Sequence, residues 1–258
     1  MTIDAHFHMQ DPNCKLTINN IKKNFKALIP ELKKYNTTQI NAIYWPYLVN
    51  KWHGINYQKL GDELKDEYKD EIALTTGIQF FIESDTYKED DYNNEPKLDF
   101  IKLHGDILSD KNNQRFNDFL DFFIKKGYDK FQFHTYILTD KEINILEPYV
   151  KQGIKFYLAH GAEAINKPLM NNQIDNFRVQ KMEGNLFLGT SSYKCFTNEV
   201  GYVKTAMEKG LEKLVCFETD FNNSKPEKEY NNYLEAVRKI IPQGKMNKIF
   251  EENAEKFL

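Results

Sequence analysis

Short apolar runs alternate with longer amphipathic stretches from one end of the chain to the other. The apolar runs have the length of buried strands. The stretches between them, such as "NNQRFNDFLDFFIKKG", carry apolar residues at spacings of three and four, which is typical of helices. Three of these helices are expected to end at Gly127, Gly153 and Gly210. The predicted strands cover residues 2–8, 39–45, 72–82, 99–104, 130–135, 154–159, 185–191 and 213–219.

Strands spaced by roughly thirty residues, each followed by a crossover, predict an α/β fold with a single (β/α)8 TIM barrel. The alternative is an open, doubly wound sheet, but the even spacing favours closure. Residues 84–97, "SDTYKEDDYNNEPK", are too polar for a helix with a core-facing stripe. An irregular connection is therefore expected after strand 3. We expect residues 1–258 to form one domain.

Composition indicates the cellular compartment and the kind of partner. The 258 residues include 35 basic and 38 acidic side chains, which gives no general attraction to nucleic acid. No apolar run approaches the ~20 residues that a membrane span needs, and the first histidine, at position 6, leaves no room for a signal peptide. Cys14, Cys195 and Cys216 are far apart, which favours reduced thiols. These features predict a cytoplasmic protein that acts on a small molecule, and they leave a homo-oligomer open.

The first predicted strand contains an unusual polar pattern, "IDAHFHMQ". Asp4, His6 and His8 occupy every second position, and alternate residues of a strand project from one face. The pattern predicts that two imidazoles and one carboxylate point at a single place. The alternative is an edge strand whose polar face meets water.

Histidines are concentrated at the carboxyl ends of the predicted strands, and an aspartate ends the eighth. These residues are His6 and His8 on strand 1, His104 on strand 4, His134 on strand 5, His160 on strand 6 and Asp220 on strand 8. Barrel enzymes build their active sites at this end. Neutral imidazole and carboxylate are the usual ligands of Zn²⁺. Because strand 8 neighbours strand 1 in a closed barrel, Asp220 is expected beside the first two histidines.

This ordered set resembles the metal-dependent amidohydrolase superfamily, most closely its amidohydrolase-2 group and the TatD relatives. In that superfamily strand 1 ends in H-x-H, strands 5 and 6 end in His, and strand 8 ends in Asp. The segments "LFLGTSSY" and "IFEENAEKFL" are similar to the group's strand 7 and closing helix, so the resemblance covers the whole chain. It implies that the metal ligands are His6, His8, His134, His160 and Asp220.

Strand 4 contains a lysine where the subfamilies differ. Lys102, in "FIKLHG", shares a strand face with His104. TatD-like proteins carry a metal-bridging Glu on this strand, whereas phosphotriesterase-like and dihydroorotase-like members use a carboxylated Lys. Two interpretations stay open: a carboxylated Lys102 that bridges two ions, or an ordinary ammonium paired with Glu218 beside a single ion.

The resemblance implies a metal-dependent hydrolase that holds one or two divalent ions, with zinc favoured. A metal-activated water would cleave an amide, lactam, lactone or ester bond. Asp220 would accept and return the proton, while His134 or His160 would stabilise the developing oxyanion. The predicted substrate-binding residues are His104, His53 and Ser191.

Three other functions compete with this interpretation. A TatD-like phosphodiesterase or nuclease is opposed by Lys102 in place of the bridging Glu and by the balanced charge. An amidohydrolase-like decarboxylase uses the same ligands and stays open. A non-catalytic metal-binding protein is disfavoured because the ligand set is complete.

Overall fold

The computed structural model describes residues 1–8, 18–44, 57–81, 98–104, 113–191, 200–220 and 227–258. Eight parallel strands pair in the order β1-β2-β3-β4-β5-β6-β7-β8, each with its successor in the chain. The strands are β1 (Thr2–His8), β2 (Thr37–Tyr44), β3 (Ala73–Phe81), β4 (Phe100–His104), β5 (Lys130–His134), β6 (Lys155–Ala159), β7 (Leu186–Gly189) and β8 (Val215–Cys216). The predicted (β/α)8 barrel is confirmed.

Helices connect the strands in the described part of the chain. They are α1 (Ile18–Lys34), α2 (Tyr57–Tyr68), α3 (Asn113–Lys125), α4 (Asp140–Val150), α5 (Gly161–Met170), α6 (Asn176–Gln180), α7 (Gly201–Glu208), α8 (Glu227–Ile240) and α9 (Asn253–Phe257). Gly127, Gly153 and Gly210 follow helix ends with φ of 88°, 87° and 75°, a backbone region that favours glycine. The predicted helix ends are therefore confirmed.

Hydrogen bonds between the two chain ends of the sheet close the barrel. Ala5 N donates to Phe217 O over 3.1 Å, and Asp220 N donates to His6 O over 3.1 Å. This closure excludes the open sheet, and it also shows that β1 is not an edge strand. Strand β8 is shorter than predicted because Glu218 N, the next amide that faces β7, donates to the Thr190 side chain (3.1 Å to Oγ1) instead of to a backbone carbonyl.

The amino-terminal end of the barrel interior is apolar and is covered by α9. The Phe257 ring centroid lies 6.1 Å from that of Phe100, 5.4 Å from that of Tyr157 and 5.7 Å from that of Phe187. A larger apolar core lies between the sheet and the outer helices. The packed end fixes the strands, so that the opposite end can present polar side chains.

Two further predictions concern the connection after β3 and the absence of a membrane span. The irregular connection expected over residues 84–97 lies outside the described residues. Within the described ranges, no helix combines the length and the apolar character needed to cross a membrane.

Candidate active site

Three donor atoms meet at the carboxyl end of the barrel, where β1 adjoins the segment after β8. His6 Nε2 lies 3.1 Å from His8 Nε2, and Asp220 Oδ1 lies 3.3 Å and 3.2 Å from these two atoms. Tetrahedral zinc binds nitrogen and oxygen at ~2.0–2.1 Å, which holds its ligands about 3.3 Å apart. The donor triangle of His6, His8 and Asp220 therefore has the dimensions of three ligands to one ion.

Asp4 does not join this triangle, although it precedes the two histidines on the same strand. Its carboxylate accepts hydrogen bonds from Thr219 Oγ1 at 2.6 Å, Thr219 N at 3.1 Å and His6 N at 3.3 Å. Burial raises the pKa of Asp4 to about 7, against the lowering effect of the Thr219 hydrogen bonds. The expectation that Asp4 points at the same place as the histidines is wrong. Its carboxylate instead anchors the segment that carries Asp220.

Two residues of the site have left-handed backbones. His160 has a φ of 62° and Asp220 a φ of 53°. This region is uncommon for residues other than glycine, and such strain is found at functional sites. His160 directly follows β6, and Asp220 lies four residues after the end of β8. Nothing in the sequence pattern indicates these conformations.

His134 and His160 form the other half of the site. Their ring centroids are 4.5 Å apart, and the His160 ring lies 5.7 Å from that of His6. Both Nε2 atoms are buried and have no hydrogen-bond partner in the part of the chain that the structure describes. Buried polar atoms are normally paired. Unpaired imidazole nitrogens beside a donor triangle fit the donor set of a metal ion.

Lys102 is buried against the donor triangle. Its Nζ lies 2.5 Å from His6 Nε2 and 3.4 Å from His8 Nε2. Among the described residues it forms no ion pair with Glu218, whose Oε1 instead accepts hydrogen bonds from His160 and Ser191. The interpretation of Lys102 as the ion-pair partner of Glu218 is therefore wrong.

Glu218 contacts two of the site histidines. Its Oε2 lies 3.3 Å from His6 Nδ1. Its Oε1 accepts hydrogen bonds from Ser191 Oγ at 2.6 Å and His160 N at 2.7 Å, and Ser191 Oγ lies 2.7 Å from His160 Nδ1. Burial raises the pKa of Glu218 to about 8, opposed by the hydrogen bond from His160 N. The Ser191 hydroxyl, predicted to bind substrate, is thus engaged by Glu218 and His160.

Burial keeps the site imidazoles neutral. It lowers the pKa of His104 to about 3 and that of His160 to about 4, and it holds the pKa values of His6 and His134 well below their usual range. The nearby Lys102 charge lowers all four further. Neutral imidazole is the form that binds metal ions.

Asp220 has the opposite ionisation. Burial disfavours its carboxylate, but the His6 and His8 imidazoles beside it outweigh burial and hold its pKa well below the usual range. An ionised carboxylate next to neutral imidazoles is the charge arrangement that a divalent cation requires.

The remaining predicted residues lie at the rim or outside the described part. The His104 ring centroid lies 4.3 Å from that of His134, and His104 is half-buried. His53 lies outside the described residues. Sequence reasoning missed Tyr136, whose exposed ring packs edge-on against His134 at 4.5 Å. The sequence feature that could have indicated Tyr136 is its position two residues after His134, which ends β5.

No protein-family model matches this chain, and no curated protein matches it in sequence. Solved structures do match in fold. A probable 2-pyrone-4,6-dicarboxylic acid hydrolase from Acinetobacter baumannii, with citric acid bound, has a TM-score of 0.57 at 13% identity, over 99% of this chain and 98% of that one. The organophosphorus hydrolase from Deinococcus radiodurans has a TM-score of 0.64 at 11% identity, over 100% and 92%.

A third similar structure is a 5-methylcytosine deaminase from Klebsiella pneumoniae liganded with 5-fluorocytosine. It has a TM-score of 0.60 at 14% identity, over 94% of this chain and 65% of that one. At these identities, the three likenesses show the shared barrel fold.

Proposed function

We propose that residues 1–258 form one metal-dependent hydrolase that cleaves an amide, lactam, lactone or ester bond of a small molecule. The observation that carries this proposal is the donor triangle of His6, His8 and Asp220, with sides of 3.1–3.3 Å. Two of the similar structures are a probable hydrolase of a pyrone dicarboxylic acid and a hydrolase of organophosphorus compounds, and they support the reaction class. The spacing of the cysteines supports a cytoplasmic location.

Zinc is the proposed ion, because the donors are neutral imidazoles and a carboxylate. His6, His8 and Asp220 would hold one ion. His134 and His160 would either complete its coordination or hold a second ion, with a carboxylated Lys102 as the bridge. When bound, zinc lowers the pKa of a water molecule toward ~7 and polarises a carbonyl group.

The chain itself supplies the proton transfer. Asp220 is ionised and lies at the donor triangle, so its carboxylate accepts a proton from the attacking water and returns it to the leaving group. The neutral imidazoles of His134 and His160 lie on the side where charge develops in this scheme. His134, if it does not bind the ion, donates a hydrogen bond to the developing oxyanion.

Elemental analysis and a substrate panel test this function. The purified protein is expected to contain about one to two zinc equivalents per chain and to hydrolyse at least one of a panel of lactones, p-nitrophenyl esters and amides. His8→Ala should lose zinc and activity, whereas Lys204→Ala, on the exposed face of α7, should keep both. Absence of bound transition metal, together with no thermal stabilisation on adding zinc, would refute the metal site.

The metal count tests the role of Lys102. If its carbamate bridges two ions, Lys102→Ala should lower the metal content by about one equivalent, and a short carboxylic acid such as propionate should restore part of it. Carbon-13 NMR with labelled bicarbonate should also show a carbamate signal in the wild-type protein. Unchanged metal content in Lys102→Ala would establish the single-ion arrangement.

A further inference from the structure

The position of the Glu218 carboxylate is built into the fold. Glu218 is completely buried, and its backbone is tied to β7 because Glu218 N donates to Thr190 Oγ1 over 3.1 Å. The carboxylate lies over Gly189, where a Cβ atom would come within 2.1 Å of Glu218 Cδ. Only glycine at position 189 leaves room for this carboxylate.

One oxygen of the carboxylate faces His6. Glu218 Oε2 lies 3.3 Å from His6 Nδ1, but neither atom has a hydrogen-bond partner in the described ranges, so this contact does not set the tautomer of His6. On the other side of the same ring, Lys102 Nζ lies 2.5 Å from Nε2. An ammonium group only donates, so Nε2 has to be the accepting nitrogen and Nδ1 carries the proton.

The other oxygen acts on His160 through Ser191. Glu218 Oε1 accepts hydrogen bonds from the Ser191 hydroxyl at 2.6 Å and from the backbone amides of His160 and Ser191 at 2.7 Å and 3.3 Å. The hydroxyl has one proton and donates it to the carboxylate. At 2.7 Å from His160 Nδ1, the hydroxyl oxygen is therefore left to accept, so that His160 also carries its proton on Nδ1.

We propose that Glu218 is a positioning residue that fixes the Nδ1–H tautomer of His160 through Ser191. The Nε2 lone pair of His160, which has no partner among the described residues, is then presented to the centre of the site beside the donor triangle. Hydrogen-bonded groups behind a ligating histidine orient its ring in this way. The consequence for zinc rests on the proposed function, whereas the tautomer is a property of the metal-free chain.

Nitrogen-15 NMR of the imidazoles in chelator-treated, metal-free protein tests the tautomers, with signals assigned from single His→Gln variants. Wild-type His160 should be the Nδ1–H tautomer. Glu218→Ala removes the acceptor of the Ser191 proton, so the hydroxyl can donate to His160 Nδ1 and the tautomer of His160 should change. Ser191→Ala removes the hydroxyl itself and should also change His160, whereas the tautomer of His6 should stay the same in both variants.

Zinc affinity, measured by competition with a chelator, gives a second readout. It should fall about 10–100-fold in Glu218→Ala, the usual effect of losing a group that orients a ligand. Gly189→Ala should reproduce this loss by displacing the carboxylate. The matched control is Gly244→Ala, whose added Cβ meets no atom within 4 Å, and it should change neither readout.

Two results would overturn the inference: an Nε2–H tautomer of His160 in the wild type, or an unchanged His160 tautomer in both Glu218→Ala and Ser191→Ala. If Glu218→Ala does not fold, the tautomer of His160 in Ser191→Ala decides. A protein that shows the expected tautomers but hydrolyses no substrate would refute the proposed function and support this inference.

Discussion

The two ends of the barrel interior are buried to a similar degree but are built from different chemistry. At the amino end, the rings of Phe100, Tyr157 and Phe187 pack around Phe257. At the carboxyl end, buried imidazoles surround a carboxylate and a lysine, and some of their nitrogen atoms have no partner among the described residues. The amino, or lower, end is complete through packing, whereas the carboxyl, or upper, end leaves buried donor atoms that fit the proposed metal ion. This division assigns stability to one end and chemistry to the other.

The upper end also concentrates features that would weaken an ordinary core. His160 and Asp220 have left-handed backbones, and Asp4 and Glu218 are fully buried carboxyl groups with raised pKa values. Sites that break several structural rules at once are characteristic of function. The apolar end and the outer helices offset the free-energy cost of these backbones and buried carboxyl groups. Substitutions at the two ends should therefore have separable effects.

The largest expected effect is on catalysis at the upper end. Asp220→Asn keeps the shape of the side chain and tolerates the left-handed backbone, so the fold and much of the bound zinc should remain. Because an amide is no base at neutral pH, kcat should fall by roughly 10²–10⁴ and the acid limb of the rate profile should disappear. Metal content, thermal melting and kcat against pH would be compared for the two proteins. Full zinc with near-normal kcat would leave Asp220 a structural ligand.

At the lower end, a substitution is expected to reduce stability without changing zinc binding. Phe257→Ala should reduce the free energy of unfolding by about 3–5 kcal/mol, because it leaves a cavity among three rings. Zinc bound per folded molecule should not change. Phe177→Ala is the matched control, since Phe177 is 62% exposed and should lose less than about 1 kcal/mol. Urea unfolding measures both, and equal losses would contradict the assignment of stability to the lower end.

The architecture and the donor triangle were within reach of sequence reasoning, because each depends on a regular repeat. Strand and helix periods predicted the barrel, and the adjacency of its first and last strands brought Asp220 to His6 and His8. The contacts of Asp4 with Thr219 could not be predicted. The pairing of β1 with β2 shifts between Asp4 and Phe7, so simple alternation fails there.

The network behind the ligands was also beyond the sequence. The Glu218 carboxylate is placed by Gly189 on β7 and by a backbone amide after β6, which are distant in the chain. The sequence indicated Glu218 as a residue of the site but not its partner. Lys102 on β4 was the expected partner, and only the structure shows that Ser191 and the backbone amide of His160 take that place.

The smallest expected effect is a loss of stability at acidic pH, which should depend on the upper end of the barrel and not on the lower end. Burial lowers the pKa of His104 from 6.5 to about 3, so between these values the unfolded chain binds a proton that the folded chain does not. The stability contributed by neutral His104 is therefore complete above its unfolded pKa and is lost as the pH falls through the interval.

His104→Gln in metal-free protein should reduce the loss of unfolding free energy between pH 7 and pH 5 by about 1–2 kcal/mol relative to wild type. Urea unfolding at the two pH values measures this difference. Phe257→Ala should instead be destabilised equally at both, since no proton binds there. If the His104→Gln and wild-type profiles run parallel, His104 is not the buried neutral group that the geometry describes.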